Sequence, residues 1–403
     1  MRKRMLPAGG VNKFQEIKKW MKEAEANGQK LIKLSIGQPS GPALWPVREA
    51  AARACLSTEE SMWEYQDNGS PGVQDFARRF VRAHIKRELA DGAVSYLPIP
   101  GIKPMLQVVI ESLGSWTDNG LREASRVYSM TNPGYPTPYD QVGMVRDVVR
   151  NHLPTKQEYG FLFKLAELDL VNGPLKEGDL IMLNLPHNPT GIVARESWLE
   201  CLCAYCSERG VRLFNDAAYA VLAHTTEFTT LAEVAVDYPD LNWAEAFSAS
   251  KAGNNTGARI GAMVGSPEFM ADIAQVKGNV DSGFAAPMAA GVLDLYENHK
   301  ELINDVRQMY ALRLHVLTAV LHGCGMKLAV EPKAGFFCLY ECPKKAFGQE
   351  IESAEQFNKL MIANTGVVGV HFEPYIRYAV CTMDIKACEK QIEKAFIRAG
   401  VSY

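Results

Sequence analysis

The chain has 403 residues, 47% hydrophobic and 22% charged, with 32 glycines and 21 prolines. At roughly 150 residues per domain this leaves room for two or three domains, and the composition excludes a disordered, collagen-like or coiled-coil protein. The balance of 43 basic and 46 acidic residues, a net charge of −3, leaves no electrostatic footprint for a nucleic-acid backbone or an anionic membrane surface.

In chain order, the first 45 residues carry no core of their own and are expected to join another part of the molecule. An apolar helix is expected after Gly101-Ile102-Lys103, with Pro104 tolerated in its first turn. Residues 126–130 read as a short buried strand before the turn Asn132-Pro133-Gly134-Tyr135-Pro136, and 144–149 as a second strand. Residues 180–185 form a third strand, closed by Pro186, and 211–215 a fourth. Between these two, 195–209 has helical spacing through Trp198, Leu199, Leu202 and Cys206. A further strand is expected at 244–247. Alternation of strand and helix predicts an α/β fold with a mostly parallel sheet flanked by helices. Beyond residue 290 the pattern changes. A long helix is expected over 296–321, a strand over 335–340, a helix over 354–364 and a strand over 375–381, together a smaller α+β domain. The expected division is therefore 1–45 as an N-terminal arm joining the small domain, 46–290 as the large domain and 291–403 as the small one.

Nine cysteines in 403 residues are too few and too irregularly spaced for a disulfide scaffold, which points to free thiols in a reducing compartment. The basic start, Met1 to Arg4, is followed by Pro7, Gly9 and Gly10 without an apolar run, so no signal peptide is expected. The richest apolar stretch, 284–295, contains Asp294 and is too short to span a bilayer. These features together predict a cytoplasmic protein.

Ligands of parallel sheets sit beyond the carboxyl ends of the strands, so the polar residues just after each strand carry the chemistry. Asn188-Pro189-Thr190-Gly191 follows the third strand, Asp216-Ala217-Ala218-Tyr219 the fourth, and Ser248-Ala249-Ser250-Lys251 the next, with Arg259 eight residues beyond Lys251. Taken singly, the first could be a plain turn, Asp216 a helix cap and Lys251 a surface lysine. Taken in order, they bring a lysine, a carboxylate, a phenol, an amide and an arginine to one crevice.

This ordered set resembles the pyridoxal-phosphate-dependent aminotransferases of class I/II, the fold type I enzymes typified by aspartate aminotransferase, over nearly the whole chain from Gly37-Gln38-Pro39 to Arg377. The resemblance implies a homodimer that exchanges an amino group between an L-amino acid and a 2-oxo acid by a ping-pong route. Lys251 would condense with the cofactor aldehyde and carry the substrate proton. Asp216 would hold the pyridine nitrogen in its charged form. Tyr219 and Asn188 would bond the phenolic oxygen, and Tyr135 would stack on the ring. Gly101, Ile102 and Lys103 at a helix start, with Ser248 and Arg259, would hold the phosphate. Tyr65 would reach the phosphate of the neighbouring subunit. Arg377, with Gly37 and Asn188, would bind the substrate, the arginine taking the α-carboxylate bidentately.

Two departures from the family pattern are visible. Ile102 stands where a small or hydroxyl residue is usual, which removes a side-chain donor but not the backbone ones. The stretch 369–375 is short and lacks the family's Pro-Gly-x-x-Phe-Gly, so closure over substrate is expected to differ. Lys277-Gly278-Asn279-Val280-Asp281-Ser282-Gly283 resembles a segment of the aspartate, alanine and LL-diaminopimelate branches, and Lys277 is the nearest cation for a donor's side chain. The expected donor is aspartate or an LL-diaminopimelate-like amino acid, with 2-oxoglutarate as acceptor. A lyase of the same fold (a C–S β-lyase or a cyclopropane-forming synthase) would use the same residues. A ligand-sensing module behind a DNA-binding domain is disfavoured, because Gly37 lies too near the N-terminus. The spacing of Cys201, Cys203 and Cys206 puts two of them on different faces of one helix, so buried thiols rather than a metal site are expected there. His371 is read as a packed or surface residue.

Overall fold

A computed structural model describes residues 13–403 apart from 70, 115, 119 and 120. The basic start and the first 12 residues of the expected N-terminal arm lie outside the described residues.

The central sheet has seven strands in the order Ser95–Ile99, Gly261–Gly265, Trp243–Ser248, Arg212–Asp216, Leu180–Leu183, Ser125–Ser129 and Val148–His152. Gly261–Gly265 runs antiparallel to both neighbours, and the remaining pairings are parallel. Leu180–Leu183 shows why this sheet is covered on both faces. All four residues are buried. Leu180 and Met182 pack with the helices Ile102–Glu111 and Pro267–Lys277 on one side. Ile181 and Leu183 pack with Leu199, Leu202, Cys203 and Cys206 of the helix Glu196–Arg209 on the other. Successive strand side chains point to opposite faces, so a continuous apolar run serves two layers of helix.

The C-terminal part is built on a three-stranded antiparallel sheet, Phe337–Glu341, Tyr375–Ala379 and Val370–Phe372, with the helices Lys300–Gly323, Ala354–Thr365 and Ile385–Ala399. The first helix, Lys13–Ala26, buries Ile17 and Ala24 against Ile362, Val368, Val370 and Phe372. Ile32 and Lys33 pair in parallel with Val367 and Val368.

Two elements differ from expectation. The strand expected at 144–149 is Val148–His152; a turn led by Gly143, with Asp147 at φ 58°, occupies the preceding residues. The long helix expected from residue 296 is two helices, Ala286–Asn298 and Lys300–Gly323, broken at His299 (φ −133°, ψ 44°). Cys201 is exposed while Cys203 and Cys206 are buried, and no group of residues able to hold a metal ion occurs among the described residues.

Candidate active site

Three strand ends build the floor of the crevice. Asp216 is the last residue of its strand and Ser248 the last of the next. Asn184, just past Leu180–Leu183, ties the edge together: its amide donates to the Asp216 carbonyl at 2.9 Å, and its oxygen accepts from the Asn188 N–H at 3.1 Å. Asn215 and Leu185 exchange two further hydrogen bonds, of 2.8 and 2.9 Å. The loop bearing Asn188 therefore cannot move independently of the strand bearing Asp216.

Asp216 and Lys251 are charges held out of water. Burial pushes the Asp216 carboxyl up to about 6, against the Ala218 N–H, which donates to it at 3.2 Å, and the nearby Lys251 cation. Burial lowers the Lys251 amine, although the surrounding Cys381 and Asp216 oppose this. Its Nζ donates to the Gly37 carbonyl at 3.1 Å and sits 5.7 Å from the centre of the Tyr219 ring. Tyr219 is buried between Phe336 and Phe337, which pushes its phenol far above the ordinary value; its hydroxyl has no hydrogen-bond partner among the described residues.

At one end of the crevice Gly101 caps the helix Ile102–Glu111 at φ 79° without a side-chain cap. A Cβ at Gly101 would overlap the Arg259 guanidinium, so glycine is what lets the arginine reach the helix start. Arg259 itself adopts φ 59° and donates to the Pro100 and Thr256 carbonyls at 3.2 and 3.1 Å. Open helix N–H groups beside a guanidinium form a seat for a phosphate-sized anion. Ile102 is buried, whereas Lys103 points to solvent. The half-buried Tyr135 has its phenol raised by burial; Asp216 and Arg259 are both close enough to perturb it, in opposite senses.

At the other end stands Arg377, 2% exposed and without any carboxylate partner among the described residues. Nη1 donates to Asn188 Oδ1 at 2.8 Å and Nη2 to the Ser35 carbonyl at 2.7 Å, while Nε is buried with no partner. The guanidinium lies 4.2 Å from the centre of the Phe337 ring. Burial lowers its pKa to about 10, which still leaves it charged at neutral pH. The backbone strap at 35–38 crosses this end. Arg377 holds the carbonyl of Ser35, Cys381 Sγ those of Ile36 (2.8 Å) and Gln38 (3.4 Å), and Lys251 that of Gly37.

Lys251, Asp216, Tyr219, Asn188, Arg377 and Gly37 thus meet in one crevice, with Tyr135, Gly101, Ile102, Ser248 and Arg259 along its phosphate-sized end. Tyr65 does not join them within this chain: it is 79% exposed and forms no hydrogen bond, ion pair or ring contact with any of them. Lys277 does not stand as the substrate-facing cation expected of it. It is 1% exposed and already bonded to Asp281 and Asn68, so it is not a free cation for a substrate. His371 is buried and packs 5.9 Å from the Trp20 ring. Asn184, Ser35 and Cys381 were not anticipated; each acts through a backbone carbonyl or N–H, which leaves no motif in the sequence.

A family model described as aminotransferase class I and II matches residues 29–394. Among curated proteins, the chain is similar to LL-diaminopimelate aminotransferases from Methanocaldococcus jannaschii (29% identical, covering 92% of this chain and 86% of the relative) and Natranaerobius thermophilus (25% identical, 91% and 92%). Among solved structures, it shares its fold with aspartate aminotransferase from Rhizobium meliloti (TM-score 0.83, 19% identity, 98% and 99% coverage). It does so too with a single mutant of the Thermus thermophilus aspartate aminotransferase (TM-score 0.81, 20% identity, 99% of each chain).

Proposed function

The chain belongs to the class I and II aminotransferases, and from that premise we propose that it uses pyridoxal 5′-phosphate to pass an amino group from an LL-diaminopimelate-like or aspartate donor to a 2-oxo acid such as 2-oxoglutarate. The observation that carries this reading is Arg377, a buried cation whose Nε has no partner, close to the half-buried Lys251 amine, which donates to the Gly37 carbonyl. A buried cation costs free energy unless a counter-charge arrives, and an amino-acid carboxylate is the counter-charge that Arg377 can take in two parallel bonds.

The residues fit the cofactor. Asp216 would face the ring nitrogen. Asn188, whose oxygen is occupied by Arg377, keeps its amide N–H groups for the ring oxygen, and Tyr219 can donate to the same atom. Gly101, Ile102, Lys103, Ser248 and Arg259 would take the phosphate, and Tyr135 one face of the ring. When bound, the cofactor supplies an aldehyde for the amino group and a ring that accepts electrons from the substrate α-carbon. Lys251, whose pKa burial lowers, would hold the cofactor through its amine and, once free, would serve as the base for the proton on the substrate α-carbon. Arg377 orients the substrate so that this bond is the one that breaks.

The test is a panel of L-aspartate, LL-diaminopimelate, L-glutamate and L-alanine, each mixed alone with the loaded enzyme while the cofactor absorbance is followed. Stoichiometric conversion to pyridoxamine phosphate is expected, fastest with aspartate or LL-diaminopimelate. Keto-product formation without pyridoxamine phosphate would mark a lyase, and fastest conversion with alanine would overturn the donor.

The proposed assembly is a homodimer whose site is composite. Tyr65 is 79% exposed and contacts none of the crevice residues of its own chain, and it would serve the partner's phosphate. Chains carrying Lys251→Ala and Tyr65→Ala, unfolded and reassembled in equal amounts, should regain roughly a quarter of wild-type activity. Half the dimers are mixed, and each of those has one intact site. Activity equal to the average of the two parents would place Tyr65 in its own subunit's site or outside any site. The division into an arm (1–45), a large domain (46–290) and a small domain (291–403) is likewise our proposal, as is a cytoplasmic location. Support for the latter comes from nine free cysteines, and among the described residues no helix is long and apolar enough to cross a membrane.

A further inference from the structure

Lys277 ends the helix Pro267–Lys277 and is 1% exposed, an unusual place for an ammonium group. Its Nζ donates to Asp281 Oδ1 at 2.7 Å and to Asn68 Oδ1 at 2.9 Å. Asp281 Oδ1 also accepts from the Gly283 N–H at 2.9 Å, so the pair shapes the turn 277–283. Asn68 completes the bridge with a bond to the Ala274 carbonyl at 3.2 Å. A second joint lies beside it. The Gln66 N–H donates to the Ser282 carbonyl at 3.2 Å, and a Cβ at Gly283 (φ 105°) would overlap the Gln66 backbone. The loop between Tyr65 and Asn68 is thereby fixed at both ends to the turn 277–283, and Tyr65 itself is left 79% exposed.

We propose that Lys277 is a positioning residue for the neighbouring subunit's active site: through Asn68 it holds the loop that presents Tyr65, and it does not bind substrate in its own chain. The proposal rests on the reading that Tyr65 acts across the dimer. A lysine suits the task because three N–H donors on one atom can join a carboxylate and an amide from segments about 210 residues apart in sequence. A single exposed tyrosine pays ordering entropy each time it reaches a ligand, and an anchored loop removes that cost beforehand.

Lys277→Met and Asn68→Ala are the variants; the second cuts the link to the loop and keeps the Lys277–Asp281 pair, so it carries the test if the first fails to fold. Both should weaken pyridoxal phosphate binding to the cofactor-free dimer by about tenfold, the scale of one hydrogen bond to a charged group. Each variant is then reassembled with Lys251→Ala and assayed at a cofactor concentration equal to the wild-type dissociation constant. If the defect falls on the partner's site, activity rises to roughly 30% of wild type; if it falls on the variant's own site, activity stays at roughly 10%. Reassembly of Tyr65→Ala with Lys251→Ala runs alongside. Should that pair recover while the Lys277 and Asn68 pairs do not, Lys277 serves its own subunit and the proposal is wrong. Should the Tyr65 pair also fail to recover, the cross-subunit reading of Tyr65 falls and takes the proposal with it. An unchanged cofactor affinity in both variants would equally overturn it.

Discussion

Lys251→Ala yields a protein that no longer forms a borohydride-stable adduct with pyridoxal phosphate, and its transamination falls by roughly four to six orders of magnitude, the scale for losing a group that is both nucleophile and proton carrier. Burial keeps the Lys251 amine below the ordinary lysine pKa, and its one hydrogen bond, to the Gly37 carbonyl, is broken without leaving a charge unpaired. Lys277 is locked to Asp281 and Asn68, and Lys103 points to solvent. Peptide mapping of the reduced wild-type adduct decides the matter. An adduct on Lys103, or one that survives in Lys251→Ala, would remove Lys251 from its role.

Asp216→Ala should lower turnover by roughly 100- to 4,000-fold, since removing one member of a buried charge pair costs about 3–5 kcal/mol and about 1.4 kcal/mol is a factor of ten. Near-normal turnover in this variant would end the assignment. A pH signature separates the carboxylate from a merely structural residue. In the cofactor-free chain the Asp216 carboxyl is raised from 3.8 to about 6, so the folded state binds the proton more tightly than the unfolded one. Stability from this group is therefore fully present below pH 3.8 and is lost as pH rises through 6. Compared with Asp216→Asn, the wild type should lose about 3 kcal/mol over that window. Denaturant unfolding of the two cofactor-free proteins at several pH values between 4 and 7 measures it; parallel stability curves would show that Asp216 is not the titrating group.

The site was legible where one strand end delivers a compact motif. Asp216 with Tyr219 and Ser248 with Lys251 each lie within four residues, so a sequence pattern captures them. Gly37 was legible, but the roles of Ser35 and Ile36 beside it were not, because their partners, Arg377 and Cys381, are more than 300 residues away and bind carbonyls that any residue would supply. Lys277 was misread for a different reason: sequence states its charge but not its burial. The break at His299 escaped because helical spacing continues on both sides of it, and the imidazole sits between Asp294 and Glu301 (3.6 and 3.4 Å) where no proline or glycine announces an end. The strand near residue 148 was placed early because a short apolar run fits turn and strand alike.

The pairing of Ile32 and Lys33 with Val367 and Val368 has a consequence in time. A ribosome must add 335 residues after Ile32 before its sheet partner Val367 exists. At about 5–20 residues per second, that is a wait of roughly 20–70 s. Throughout it, the amphipathic helix Lys13–Ala26 has none of the surface that later buries Ile17 and Ala24. The central sheet has all its strands by residue 265, so it can form while the first segment still waits. The helix Lys13–Ala26 and the Ile32–Lys33 strand thus wait for partners at 362–372 long after the central sheet can close.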